Sequence, residues 1–324
     1  MVKNNRIKHD FIALGEALID LISCDEVDAL NEADCYHRFV GGQPTNLARN
    51  MALLGNQVAL ASCVGADSFG TYIKEQLELA NVDIGYLQTT HNAPTTIVPV
   101  TRTRGGTPGF MIYRGADTYM RSTPALMEAV RRARIIHTSA FALSRDPARS
   151  TFMQALQTAH ENNVQISLDP NYHPAIWPDI PNYTSFLEQA YNFVDYTKPS
   201  LDDCERIFSP GLEPADYARR FIQWGAKIVL LTLGAEGTLL TTSTGEQYLL
   251  RSNPINVADV TGAGDAFWSG FLSATLAGKT PIEAALNGQA MAEIKLETVG
   301  PLKQAPDPVI IKAKINAIQY KQLH

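Results

Sequence analysis

Asp265 follows Thr261, Gly262, Ala263 and Gly264 directly and opens an apolar run in which Phe267, Phe271 and Ala274 recur at spacings of four and three. That spacing puts the three on one face of a helix, and Gly278 with Lys279 reads as its end. Asp265 therefore falls in the first helical turn, where backbone N–H groups lack intrahelical partners and the helix dipole is positive. A phosphate or a developing anion is stabilised there, and a carboxylate beside it suits deprotonation of a hydroxyl that attacks a phosphoryl group. Read alone, G-A-G is equally an ordinary strand-to-helix turn followed by an N-terminal helix acid.

A second set of small and polar residues stands far upstream: Asp20, then Gly41, Gly42 and Asn46. The glycines would let backbone N–H groups reach a polyol, and Asn46 can both donate and accept. A sugar carries many hydroxyls and no charge, so short polar groups are the lining it needs. A turn for the glycines and a helix N-cap for Asn46 are the plain alternatives. Neither a G-x-x-x-x-G-K-[ST] loop nor a dinucleotide glycine fingerprint occurs, so nucleotide binding must use other loops.

These residues need a scaffold, and the chain offers one. With 324 residues, 45% apolar and 19% charged, it can bury a sizeable core and reads as an ordinary globular protein. A net charge of -6 argues against bulk electrostatic binding to nucleic acid or to anionic membrane. Glu16 and Asp20 interrupt the apolar run that follows the basic residues of the N-terminus, and no stretch approaches membrane-spanning length. The expected location is the cytoplasm. Cys24, Cys35, Cys63 and Cys204 are scattered without a C-x-x-C pair and read as reduced thiols.

Short apolar runs alternate with helical patterns. Phe11 to Leu14 together with Leu18 to Ile22 suggest a first strand, Asn46 to Leu54 a helix, Val58 to Val64 a strand and Ser68 to Ala80 a helix. Arg134 to Thr138, Gln165 to Asp169, Phe193 to Lys198 and Lys227 to Leu233 read as further strands. The alternation predicts a three-layer α/β/α domain with a mostly parallel central sheet, binding ligands at the carboxyl ends of its strands. Tyr36 to Val40 and Thr95 to Tyr113 break the pattern, being rich in β-formers and turn residues.

D-V-T-G-A-G-D-A-F at the C-terminal end and G-G-Q-P-T-N-L-A near the N-terminus, in that relative order and more than two hundred residues apart, resemble the two signatures of the ribokinase-like (PfkB) carbohydrate kinases. The resemblance spans nearly the whole chain and implies one kinase domain over 1–324, with a β-sheet lid inserted at about 30–46 and 92–118. It implies that Asp265 is the base and that Gly262, Ala263 and Gly264 stabilise the phosphoryl charge. Asp20, Gly41, Gly42 and Asn46 would hold the sugar, with Arg102, Arg104 or Arg114 able to meet an acceptor carboxylate.

The nucleotide side follows from further resemblances. D-P-N, with Asn171, is similar to a stretch of fructokinases and 2-keto-3-deoxygluconate kinases that carries Arg two residues later, where this chain has His173. K-P-S-L-D-D-C-E resembles the Asn-x-x-Glu region, with Lys198 and with Ser200 and Asp203 at the two signature positions. Asp203 would hold Mg²⁺ through water, or cap a helix with Ser200, and Asp202 with Glu205 has the same spacing. Thr232, Gly234 and Gly237 of T-L-G-A-E-G, with Thr261 and Asn287, complete the expected nucleotide site. A homodimer through the lid and a monovalent cation such as K⁺ near the G-A-G-D loop are further implications. The expected activity is transfer of the γ-phosphoryl of Mg-ATP to a primary hydroxyl of fructose. 2-Keto-3-deoxygluconate is the alternative, ribose or a nucleoside stands behind it, and an inactive sugar-binding sensor is the reading of another class.

Overall fold

The computed structural model describes residues 9–103, 109–177, 183–253, 255–298 and 300–323. The chain enters with β1 (Phe11–Leu14), then runs through β2 (Leu18–Glu26), β3 (Tyr36–Gly41), α1 (Gln43–Leu53), β4 (Val58–Gly65) and α2 (Ser68–Leu79). Strands β5 (Asp83–Thr90) and β6 (Ile97–Arg102) precede α3 (Pro124–Arg132), β7 (Ile135–Ser139), α4 (Ala148–Glu161) and β8 (Gln165–Asp169). Then come α5 (Tyr183–Tyr191), β9 (Tyr196–Thr197), α6 (Leu201–Phe208), α7 (Pro214–Trp224) and β10 (Ile228–Thr232). The hairpin strands β11 (Thr238–Thr242) and β12 (Gln247–Leu250) lead to α8 (Ala263–Leu276), α9 (Pro281–Leu296), α10 (Pro308–Ala317) and β13 (Tyr320–Leu323).

A ten-stranded sheet orders these strands β13-β12-β11-β10-β9-β8-β7-β1-β4-β5. From β10 to β5 every pairing is parallel, whereas β10 to β13 run antiparallel. Alternate side chains of one strand serve two cores: Phe11 and Ala13 pack with α1, α2, α8 and α9, while Ile12 and Leu14 pack with α3, α4, α5 and α7. This is the expected three-layer α/β/α arrangement, and it explains why the parallel strands read as continuous apolar runs. Phe267, Trp268 and Phe271 of α8 are buried against the sheet, each ring stabilising the fold by roughly 1.5–3 kcal/mol. Gly288 lets α9 close on α8, because a Cβ there would lie 2.8 Å from Phe267 O.

A three-stranded sheet, β3-β2-β6, stands apart from the large one. Here the first predicted strand needs correction. Phe11–Leu14 and Leu18–Glu26 are two strands in two sheets, because Gly15, Glu16 and Ala17 interrupt the run and β2 pairs with β3 and β6 instead of continuing beside β4. Asp20 therefore belongs to the small sheet, outside both predicted lid segments. The expectation of four reduced thiols also fails. Cys24 of β2 and Cys35, the residue ahead of β3, have Cα atoms 5.4 Å apart, within disulfide reach, and are bridged; Cys63 and Cys204 are free and buried. Among the described residues no helix is long and apolar enough to cross a membrane.

Candidate active site

The site is built from strand ends and two helix starts. Gly262, in the left-handed conformation at φ +78°, turns the chain into α8 and leaves Asp265 in the first turn. Ala263 N–H points to Val260 O at 3.3 Å, so of the three residues expected to face an anion this one is already engaged. The N–H groups of Gly264 and Asp265 that follow lie outside the i→i−4 ladder of an α-helix. Thr261 N donates to Asp259 Oδ1, which fixes the turn ahead of them.

Helix α1 begins at Gln43, with Gly42 as its cap residue. Asn46 is consequently not an N-cap. It sits one turn in, and its Nδ2 donates to Asp265 Oδ2 at 3.1 Å, joining the two signature segments. Gly42 is required by a close approach, since a Cβ at its φ of +99° would lie 2.3 Å from Glu16 O. Gly41 leaves room for Asp20, whose Oδ2 lies 2.0 Å from where a Cβ would be. Burial and the Asp265 charge push the Asp20 carboxyl up to about 7. Burial, with Asp169 adding to it against Lys198 and Asn46, raises Asp265 to about 7 as well. The two carboxyls thus lie near enough for the Asp265 charge to act on Asp20.

Below the cleft lies a buried polar network that sequence reasoning did not assemble. Lys198 Nζ pairs with Asp169 Oδ2 at 2.9 Å, both side chains less than a tenth exposed. A Cβ at Gly264 would lie 3.5 Å from that Nζ, so the ammonium stands behind the first turn of α8. Burial works against the Lys198 charge, yet Asp169, Asp203 and Asp265 outweigh it and raise its proton affinity. Gln43 Nε2 donates to Asp169, which leaves Gln43 Oε1 to accept from His137 Nε2 at 2.8 Å. His137 Nδ1 then accepts from Ser167 Oγ at 2.8 Å, and Trp268 Nε1 donates to the same hydroxyl at 3.0 Å. Burial, and Lys198 beyond it, hold His137 down at about 3, so the imidazole is neutral. Glu16, which receives Gln43 N and Ser139 Oγ, is pushed up to about 8 by burial, with Asp117 adding to the effect.

Ser200 caps α6 and shares a capping box with Asp203, whose Oδ1 also accepts from Tyr172 N at 2.9 Å. Thr232 ends β10 and its N donates to Pro199 O at 2.9 Å, so it adjoins the Lys198–Ser200 segment. Gly234 and Gly237 both take positive φ, and a Cβ at Gly237 would strike Leu250 O. A cleft of about 610 Å³ opens beside this loop, walled by Leu233, Leu239, Leu249 and Leu323 with Glu213 and Arg251 at its rim. Asn171 is exposed at φ +29°, its N held by Asp169 Oδ1. Asn287 Nδ2 turns back to Glu283 O on its own helix. His173 caps a short turn through Ala175 N and meets the Phe110 ring at 4.6 Å.

Arg104 lies outside the described residues. Arg114 is engaged: it pairs with Asp117 at 2.6 Å, donates to Ser144 Oγ at 2.8 Å and covers the Phe141 ring. Arg102 Nη1 donates to Cys24 O at 2.9 Å. Among the described residues no cluster of three or more His, Cys, Asp or Glu side chains could hold a metal directly. Asp203 keeps acceptor capacity beyond its three hydrogen bonds, which fits a hydrated Mg²⁺ held mainly by nucleotide phosphates.

Residues 8–308 match the family described as pfkB family carbohydrate kinase. The chain belongs to that family and is an ATP-dependent sugar kinase. It is 35% identical over 308 residues, 94% of either chain, to an ATP-dependent 6-phosphofructokinase of Thermoanaerobacterium thermosaccharolyticum. It is 27% identical over 296 residues, 89% of this chain and 88% of the relative, to a 5-dehydro-2-deoxygluconokinase of Geobacillus kaustophilus. The fructokinase structure of Halothermothrix orenii superposes with a TM-score of 0.76 at 34% identity, covering 90% of this chain and all of that one.

Proposed function

We propose that the enzyme transfers the γ-phosphoryl of Mg-ATP to a primary hydroxyl of a neutral ketohexose, fructose being the acceptor to test first. One observation carries this: Asp20, packed on Gly41, and Asp265, bonded to Asn46, each have a raised proton affinity, and the charge of the second acts on the first. Two carboxylates repel an anionic acceptor and bind hydroxyl donors. The buried cations Lys198 and Arg114 are already paired to Asp169 and Asp117. Asp265 takes the proton of the attacking hydroxyl, and its raised proton affinity matches a base working near neutrality. The N–H groups of Gly264 and Asp265 at the start of α8 stabilise charge on the phosphoryl in flight. Mg²⁺, held through water by Asp203, would neutralise the phosphates of ATP.

The loop at Gly234–Gly237 and its apolar cleft receive the base of the nucleotide, and the small sheet serves as a lid that excludes water. Phe110, Met111 and Tyr113, exposed on the segment that pairs with β6, support a homodimer through that lid. Use of ATP points to the cytoplasm, with the Cys24–Cys35 bridge the one feature at odds with a reducing compartment. A second reading, a phosphorylated ketohexose as acceptor, is favoured by the 6-phosphofructokinase relative and would draw on Arg104.

ADP release with fructose, fructose 6-phosphate, 2-keto-3-deoxygluconate, 5-dehydro-2-deoxygluconate, ribose, tagatose and adenosine tests both. Fructose should dominate. A preference for fructose 6-phosphate or either acid would overturn the neutral-acceptor reading.

A further inference from the structure

Polar side chains of α9 hold the chain at Ser252 and Asn253. Gln289 Nε2 donates to Ser252 Oγ, and Glu293 receives both Asn253 N and its side-chain amide. Two residues on, Lys295 does something different. It is only 2% exposed, and its ammonium lies 3.3 Å from Asp259 Oδ2, 3.3 Å from Asp259 O and 3.1 Å from Thr298 O. Its Cε passes 3.9 Å from where a Cβ would sit on Gly262, directly under the turn that opens α8.

Two carbonyl oxygens and a carboxylate around one point make a cation site, and the carboxyl end of α9 adds its negative pole. Asp259 is built for the ionised form. Burial opposes its charge, but Thr261 N, Gly300 N and Lys295 outweigh that and hold the carboxyl below its ordinary value. The same carboxylate orients Thr261 and, through it, the Gly262–Gly264 turn. Whatever cation sits here therefore sets the geometry of the anion-binding loop.

The family resemblance implies a free monovalent cation beside this loop, yet in this chain a side chain fills the oxygens that could take one. We propose that the Lys295 ammonium is a built-in replacement for a monovalent cation, so that this kinase works without K⁺. The inference rests on the kinase reading only for the role of the loop, and the test below separates the two.

The wild-type protein, dialysed into choline chloride, is compared at constant ionic strength with the same protein in KCl, by turnover, by ADP binding and by melting temperature. Wild type should change by no more than about twofold in turnover and ADP affinity, with no shift in melting. Lys295→Ser leaves the oxygens without their cation. In choline it should lose about tenfold or more in turnover and ADP affinity and melt lower, and KCl should restore both where choline does not. Melting and ADP binding report on the cation site even if no sugar in the panel is phosphorylated, so a failed acceptor assignment leaves this test intact. A several-fold K⁺ stimulation of wild type, or a K⁺-indifferent Lys295→Ser as active as wild type, would overturn the proposal. Should Lys295→Ser not fold in choline, its recovery by refolding in KCl supports the proposal; failure in both salts, with a wild type that K⁺ stabilises, overturns it.

Discussion

Gly41→Ala tests the proposed contact between the small sheet and the sugar. Gly41 ends β3 opposite Leu18 and is not among the positive-φ residues, so alanine suits its backbone. The added Cβ would nevertheless lie 2.0 Å from Asp20 Oδ2 and 2.5 Å from its Cγ, whereas ordinary contact begins near 3.4 Å. The carboxylate must retreat by well over an ångström, and as the end of a side chain it can do so without moving either strand. If Asp20 accepts one hydroxyl of the sugar, the loss is that of one charged hydrogen bond, about 1.5–3 kcal/mol. That corresponds to roughly 10- to 150-fold in kcat/KM for the sugar, with KM for ATP unchanged. Steady-state kinetics of Gly41→Ala, Asp20→Ala and the double variant decide the matter. In the Asp20→Ala background the glycine substitution should cost nothing more, because the group it displaces is gone. Additive losses, or a folded Gly41→Ala with an unchanged sugar KM, would refute the reasoning.

Asp265→Asn should lower turnover by about two to four powers of ten while ADP binding persists, measured by kinetics and calorimetry side by side. With Asp265 pushed up to about 7, wild-type kcat/KM should fall as pH drops through that value. The same group has its proton affinity raised by folding, so the stability it contributes is present below about pH 4 and is lost as pH rises through 7. Asp265→Asn should accordingly melt above wild type near pH 8, with the gap shrinking toward pH 5. Lys198→Met strands a buried Asp169 and should destabilise by about 3–5 kcal/mol in urea; a variant as stable as wild type would deny the pair its role. In denaturant without reductant a thiol reagent should titrate two of the four cysteines, and all four after reduction.

How much of this was legible in the sequence depends on how local each signal is. The turn into α8 was, because Gly262, Gly264 and the helical spacing behind Asp265 lie within one short stretch. The start of α1 could have been read from Pro44, which belongs in a first turn and not in a helix cap's approach. The change of sheet at Gly15 was hidden, since F-I-A-L-G-E-A-L-I keeps one apolar character and only pairing with β3 and β6 separates its halves. The disulfide likewise depends on the β2–β3 register, which no spacing of cysteines reveals. Glu16, Gln43, His137, Ser167 and Asp169 come together from the loop after β1, from β7 and β8, and from the start of α1. A faint signal existed in polar residues set inside apolar strands, His137 and Ser139 in I-I-H-T-S and Ser167 in I-S-L-D.

The three residues between β1 and β2 also fix how closing the cleft would feel to its occupant. Asp20 rides on the small sheet and Asp265 on a helix packed to the large one, so any approach of the two sheets drives like charges together. Above neutral pH the two charges therefore oppose such an approach while no hydroxyl lies between them. On the proposed reading, a sugar whose hydroxyls donate to both would turn that spring into a latch, and phosphorylation, by adding charge between them, would release it.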